Sequence, residues 1–350
     1  MRAWIITLAA GYLVVGQSVA AAQRPGAEAG RFEVPGMDWA PNSAWRARAA
    51  RVRANRWAAL QRGDVSALNR RVAFASSVAG GGSADGMAVR GTFYVPVIAL
   101  AFADADVPYS ADQYQAVLFG APPPDSRAYS LKTYYEQVSN GKIEMLGRVF
   151  DPVRTDSTHA YYENGCNGIG VVNTCDDGGR RFGLMLIAAL DSISNRPGAD
   201  TAWSQFDNDG PDGVPNSGDD DGDVDFVTFL QPLVDGACQG NTPPSTGIWA
   251  HRFVISAWNG GSRYITKTPR RNAAGQAVPG EFVRVNNYTI QSQLGGGSGC
   301  DPTAIMPIGT VSHETGHAFG LPDLYDTDRA GSGTEGIGEW GIMGSGNYSR

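Results

Sequence analysis

Apolar and polar positions alternate between two periods along this chain. From Thr92 an apolar run (TFYVPVIALAFAD) reads as a buried strand, and Pro96 within it predicts an edge position or a bulge. Ser110-Ala111-Asp112-Gln113 has the form of a capping box and opens a helix. Ser130–Val138 reads as a second short helix, and Arg180–Ser194, with its apolar residues on one side, as a longer one. Lys142–Phe150, Asp225–Leu230, Gly247–Ile255 and Val283–Gln291 are strand-like. Strands backed by helices, followed by a helix near the C-terminal end, predict an α+β domain. No internal repeat covers the chain.

The N-terminal pattern is different. Met1-Arg2, the apolar run Ala3–Val15 and the small residues Ser18–Ala22 predict a Sec-type signal peptide over 1–22, cleaved near Ala20 or Ala22, and therefore an exported protein. The run is too short for a stable membrane anchor, and no other stretch approaches a spanning length. Residues 23–88 read as a propeptide ending in the linker Ala79–Gly86, and 89–350 as the main folded domain.

Charge separates the same segments. Residues 1–88 hold 11 basic and 5 acidic side chains (+6), the rest 17 and 30 (−13). Eight arginines between Arg46 and Arg71 face a single acid, Asp64, on an Ala-rich helical background. Docking of this segment on the acidic domain as an inhibitory propeptide is preferred to nucleic-acid or membrane binding. The segment contains no cysteine, so a thiolate cannot block a metal there; Glu28, Glu33 and Asp38 are the available ligating groups. Cys166, Cys175, Cys238 and Cys300 in an exported chain predict two disulfides. Of three connectivities, Cys166–Cys175 with Cys238–Cys300 is preferred, closing a short and a long loop.

The chemistry concentrates in His313-Glu314-Thr315-Gly316-His317-Ala318-Phe319-Gly320-Leu321-Pro322-Asp323. Imidazoles four residues apart share one helical face and can reach one metal ion, with zinc the expected one. Glu314 is then the general base, able to take a proton from the attacking water. Gly320 can end the helix in a left-handed conformation, Pro322 cannot continue it, and Asp323 is swung back as a third ligand. Glu335 and Glu339 compete for that role, but residues 331–346 hold seven glycines and make a poor helix; Asp326 is a weaker competitor. Met343, in a Gly-rich turn, is the candidate floor of the site. His251 reads as a structural histidine, and Tyr348 as a minor candidate for oxyanion stabilisation.

A second constellation is acidic. Asp207, Asp209, Asp212, Asp219, Asp221, Asp223 and Asp225 alternate with glycine turns, a pattern that lets carboxylates converge on Ca²⁺, although neither half is an EF-hand.

The run Ile308–Glu314 through Leu321–Asp326, followed by Gly336–Met343, resembles the immune inhibitor A family of secreted metallopeptidases. Thr92–Asp104, Tyr134–Lys142, Phe206–Gly213 with Val224–Phe229, and Ile248–Arg252 agree with it in order, so the resemblance spans about residues 89–350. It implies a metzincin-like zinc endopeptidase acting on extracellular proteins and secreted as a precursor. His313, His317 and Asp323 match the family's metal-binding positions and Glu314 its base. Catalytic domains of this type continue past the methionine turn, so a sequence ending at Arg350 reads as truncated. The competing function is a calcium-stabilised binding module with the same fold and no turnover.

Overall fold

The computed structural model describes residues 91–125, 127–168, 177, 179–198, 202–208, 213–238, 247–297, 299–325 and 336–348. The expected signal peptide and propeptide, Cys175, Asp209, Asp212, Asp326, Glu335 and the side chain of Tyr348 lie outside the described residues.

The chain forms β1 (Gly91–Ala101), α1 (Ala111–Phe119), α2 (Leu131–Val138), β2 (Ile143–Arg154), α3 (His159–Glu163) and α4 (Arg180–Ser194). Then come β3 (Asp223–Val224), β4 (Val227–Gln231), β5 (His251–Val254), β6 (Tyr264–Arg271), β7 (Ala277–Val285), β8 (Asn287–Ser292), β9 (Leu294–Gly295), β10 (Asp301–Ile305) and α5 (Ile308–Ala318). The main sheet has the order β2-β1-β4-β8-β5, parallel except for β5, which pairs antiparallel with β8. A smaller sheet, β3-β7-β6, and the two-stranded β9-β10 complete a mixed α+β architecture.

Alternation along β1 builds two cores. Ile98 and Leu100 join Phe229, Tyr288 and Ile290 against Phe182, Leu186 and Leu190 of α4. Val95 and Val97 face the other way and join Leu230 with Leu118, Tyr135, Val311 and Phe319, which brings α1, α2 and α5 onto that face. Fully burying such side chains contributes roughly 1.5–3 kcal/mol each. The helix starts follow the sequence: Ser110 caps α1 in a capping box with Gln113, and Ser130 caps α2 with Thr133.

Three expectations are refined. Pro96 lies on an interior strand, yet β4 pairs with β1 only from Val97 to Ala99, so at Pro96 the strand has β2 alone as neighbour and the missing N–H costs no ladder bond on the β4 side. Val283–Gln291 is not one strand. Asn286 breaks it: its carbonyl accepts from Ile255 N (2.7 Å) and its side chain from Ser256 N (3.1 Å), sending β7 and β8 into different sheets. β6 was not foreseen, although Tyr264, Thr266 and Thr268 are buried while Ile265 and Lys267 are exposed.

Candidate metal centre

α5 begins after Pro307 and is anchored to the sheet by Val311 and by Phe319 at its C-terminal cap. It stops in a Schellman motif: Leu321 N donates to Gly316 O (2.9 Å) and Gly320 N to His317 O (3.0 Å), with Gly320 at φ 87°. An L side chain at Gly320 would resist that conformation, and Pro322 blocks any continuation. The reversed chain brings Asp323 back over the helix.

Three donor atoms converge there. His313 Nε2 and His317 Nε2 are 3.1 Å apart, and Asp323 Oδ1 lies 3.2 Å from the first and 3.4 Å from the second. Ligands on a tetrahedral zinc with bonds near 2.0–2.1 Å stand about 3.3 Å from one another, so the set fits that ion. Both imidazoles are buried, as is Asp323 Oδ1. Each ring is oriented through its other nitrogen. His313 Nδ1 donates to Ile342 O (2.8 Å) and His317 Nδ1 to Leu321 O (2.7 Å), which leaves both Nε2 lone pairs for a metal.

Glu314 is 2% exposed, and its Oε1 lies 4.0 Å from His313 Nε2. His313, Glu314 and His317 also form a compact donor group, in which the Glu314 oxygen stands farther from His313 Nε2 than Asp323 Oδ1 does. Burial alone would raise the Asp323 carboxyl; the two imidazoles beside it hold it well below the usual carboxylate range. Burial would lower the His317 imidazole, and Asp323, Glu314 and Leu321 O together raise it.

Met343 is buried under the helix. A Cβ built on Gly316 would lie 2.5 Å from its sulfur, so the helix and the methionine turn touch at a glycine. Glu339 sits in a short 3-10 turn (Gly338–Trp340) and does not join the donor group. His251 is buried between Trp249 O (2.8 Å) and the Tyr288 hydroxyl (3.1 Å), the structural role read from the sequence. His159 pairs with Asp104 at 2.7 Å.

Sequence reasoning missed the backbone carbonyls of Ile342 and Leu321, which no side-chain pattern encodes. It also missed Tyr135, whose buried hydroxyl donates to Ser312 O (2.6 Å) in the turn that carries His313, and Arg127, which grips Met306 O (2.9 Å) just before α5. Tyr135 lies in a stretch, Tyr134–Lys142, that already carried the resemblance.

Residues 103–350 match the model of the immune inhibitor A peptidase M6 catalytic domain. The chain belongs to the immune inhibitor A (M6) peptidase family. It is 30% identical over 246 residues to the pre-pro-metalloprotease PrtV of Vibrio cholerae serotype O1, covering 69% of this chain and 24% of that protein. It is 28% identical over 254 residues to immune inhibitor A of Bacillus thuringiensis subsp. alesti, covering 69% of this chain and 32% of that protein. The chain thus spans a quarter to a third of the length of these relatives. The M6 match contains the whole donor set, together with Met343 and Tyr135.

The acidic stretch is less uniform than its sequence. Asp223 Oδ2 is paired with Arg284 (2.8 Å) and with Arg263, so arginines supply its counter-charge. Asp221 Oδ1 accepts from Asp223 N (2.8 Å), Asp220 Oδ2 from Ser217 N (2.7 Å), and Asp219 from the Ser217 hydroxyl. Asp207 is fully buried. Among the described residues these carboxylates form no group compact enough to hold an ion; Asp209 and Asp212 are outside them. Cys238 and Cys300 form the expected disulfide, and Cys166 is disulfide-bonded.

Proposed function

We propose that this chain is the catalytic part of a secreted, zinc-dependent endopeptidase with a metzincin-like site, made as a latent precursor. The observation that carries the reading is the set of three donor atoms 3.1–3.4 Å apart with a buried glutamate beside them. His313, His317 and Asp323 would hold the zinc, and Met343 would floor the site. When bound, zinc supplies a Lewis acid that polarises the scissile carbonyl and acidifies a water. Glu314 takes a proton from the attacking water as its oxygen bonds to the carbonyl carbon. It returns a proton to the amide nitrogen as the C–N bond breaks. Ile342 O and Leu321 O keep both rings in the metal-binding tautomer throughout.

Latency is supported by the charge contrast between residues 1–88 and 89–350, and by the pre-pro name of the Vibrio cholerae relative. The 23–88 segment is the proposed inhibitor, extracellular proteins are the proposed substrates, and export through the 1–22 leader is the proposed route. No helix of the described residues is long and apolar enough to cross a membrane. Calcium is proposed in the 207–225 stretch, on the acids read there from the sequence. Asp223 is engaged by arginines, so the proposed ligands are the other acids.

The test is casein cleavage by the chain with its propeptide removed, beside Glu314→Ala and 1,10-phenanthroline controls. Cleavage abolished by both, with zinc retained by the folded Glu314→Ala protein, supports the mechanism. A folded, zinc-loaded wild type that cleaves neither casein nor a mixed peptide library favours the binding-module reading.

A further inference from the structure

The face of the main sheet beneath α5 changes character toward β5. Near β1 it is apolar, with Val95, Val97 and Leu230 packed against Val311 and Phe319. Leu230 pairs with Gln291 and Thr228 with Thr289, and Thr289 pairs in turn with Arg252 on β5. Directly paired residues point to the same face, as do residues two apart on one strand. Arg252, Thr289, Gln291 and Thr228 therefore continue the layer under α5 as polar side chains. On the helix, Thr315 stands in one i, i+4 row with Val311 and Phe319, and Ser312 adjoins it; both are fully buried.

Among the described residues, much of this layer lacks hydrogen-bond partners. Arg252 is 8% exposed, and its Nη2 donates to the Asn287 side chain; Nε and Nη1 are buried without an acceptor among the described residues. No ion pair to Arg252 occurs among the described residues. Both polar atoms of Gln291 and the hydroxyls of Ser312 and Thr315 are likewise buried and unbonded. Thr228 and Thr289 satisfy each other at 2.9 Å. The layer thus offers a guanidinium, an amide N–H₂ and two hydroxyls as donors. Burial lowers the Arg252 pKa only to about 10, which leaves the group cationic at neutral pH. A buried cation without a counter-charge is strongly destabilising, whereas one met by an anion and further donors is not.

We propose that Arg252, with Gln291 and the hydroxyls of α5, forms a binding site for a small inorganic monovalent anion such as chloride, placed between the sheet edge and the metal-site helix. The proposal does not depend on the peptidase reading. Its ligand is a halide-sized ion because the donor atoms are enclosed and a substrate carboxylate would have to open the β5–α5 contact to reach them.

The test uses the full chain at fixed zinc, calcium and ionic strength, with sodium chloride exchanged stepwise for sodium gluconate. Wild type is expected to show a saturable rise in thermal midpoint with chloride, of about 3 °C or more, and bromide should act in the same way. Arg252→Met should be chloride-independent and, in gluconate, at least as stable as wild type, because it removes the uncompensated charge. Gln291→Met should keep the response but need several-fold more chloride for half-saturation. Identical wild-type midpoints in chloride and gluconate would mean that water alone solvates the layer, and the proposal fails. It fails equally when the chloride response survives in Arg252→Met, since the anion then binds elsewhere, including at the metal. If neither variant folds, the wild-type titration decides alone, with ³⁵Cl line broadening as its direct readout.

Discussion

Replacing Gly316 by alanine sets two well-characterised effects against each other. In an open helix the change would stabilise by about 1 kcal/mol, since glycine loses the most backbone entropy on folding. Here the new methyl group would sit 2.5 Å from Met343 Sδ, 3.4 Å from its Cε and 3.5 Å from the Tyr135 hydroxyl. Met343 is 4% exposed, and its carbonyl is held by Leu324 N at 2.8 Å, so the sulfur has little room to retreat. Overpacking of this kind costs about 1–3 kcal/mol, and the net expectation is destabilisation by roughly 0–2 kcal/mol. The displaced turn also carries Ile342, whose carbonyl orients His313. Disturbing such an outer partner lowers metal affinity about 10–100-fold. Urea unfolding of the metal-free protein and chelator competition for zinc measure the two quantities separately. Gly316→Ala made in a Met343→Ala background should recover most of the helix-propensity gain, giving a coupling of about 1–3 kcal/mol in the double-mutant cycle. A Gly316→Ala protein that is about 1 kcal/mol more stable than wild type, with unchanged zinc affinity, would refute the close packing of helix and methionine turn.

Other outcomes follow from the same contacts. Asp323→Ala should lose zinc on dialysis while the chain stays folded, because it deletes one of three donors; undiminished zinc stoichiometry by mass spectrometry would point to another ligand. Tyr135→Phe removes one buried hydrogen bond to Ser312 O and should cost about 0.5–1.5 kcal/mol in urea unfolding. Removing the Cys238–Cys300 disulfide, which bridges a sequence separation of 62, should cost about 4 kcal/mol on the chain-entropy model; a loss under about 1 kcal/mol would show a compact unfolded state. The pH dependence of the metal-free protein has a defined sign. The Asp323 carboxyl is depressed, so its contribution is present above its unfolded value near 3.8 and is lost as pH falls through the folded value. The His317 imidazole is raised, so its contribution is present below about 6.5 and is lost as pH rises through the folded value. The pair therefore stabilises the metal-free form most strongly between those limits. Zinc requires neutral His317, so stabilisation by added zinc should grow from pH 5 to pH 8; a flat zinc increment would contradict proton release on binding.

The candidate metal centre is legible in the sequence because its parts are local. Two histidines on one helical face, a glycine that must adopt φ 87° and a proline that cannot extend the helix confine Asp323 to a few positions, and these are read from eleven consecutive residues. The capped helices α1 and α2 are local in the same sense. What stayed hidden depends on contacts between distant segments. Ile342 O reaches His313 across 29 positions, and Tyr135 reaches Ser312 across 177, each using an atom or residue that looks ordinary in its own neighbourhood. The break at Asn286 was hidden for the same reason, since the strand pattern runs through it and only bonds to Ile255 and Ser256 turn it into a corner. The acidic stretch shows the converse case. Its composition calls for a cation, and the structure supplies part of that charge from Arg263 and Arg284 on the neighbouring hairpin, so a local count of carboxylates overstates the charge left for calcium. Arg252 completes the contrast: in sequence it is one charge in a strand-like run, and it becomes informative only because folding buries it with two guanidinium nitrogens unbonded among the described residues.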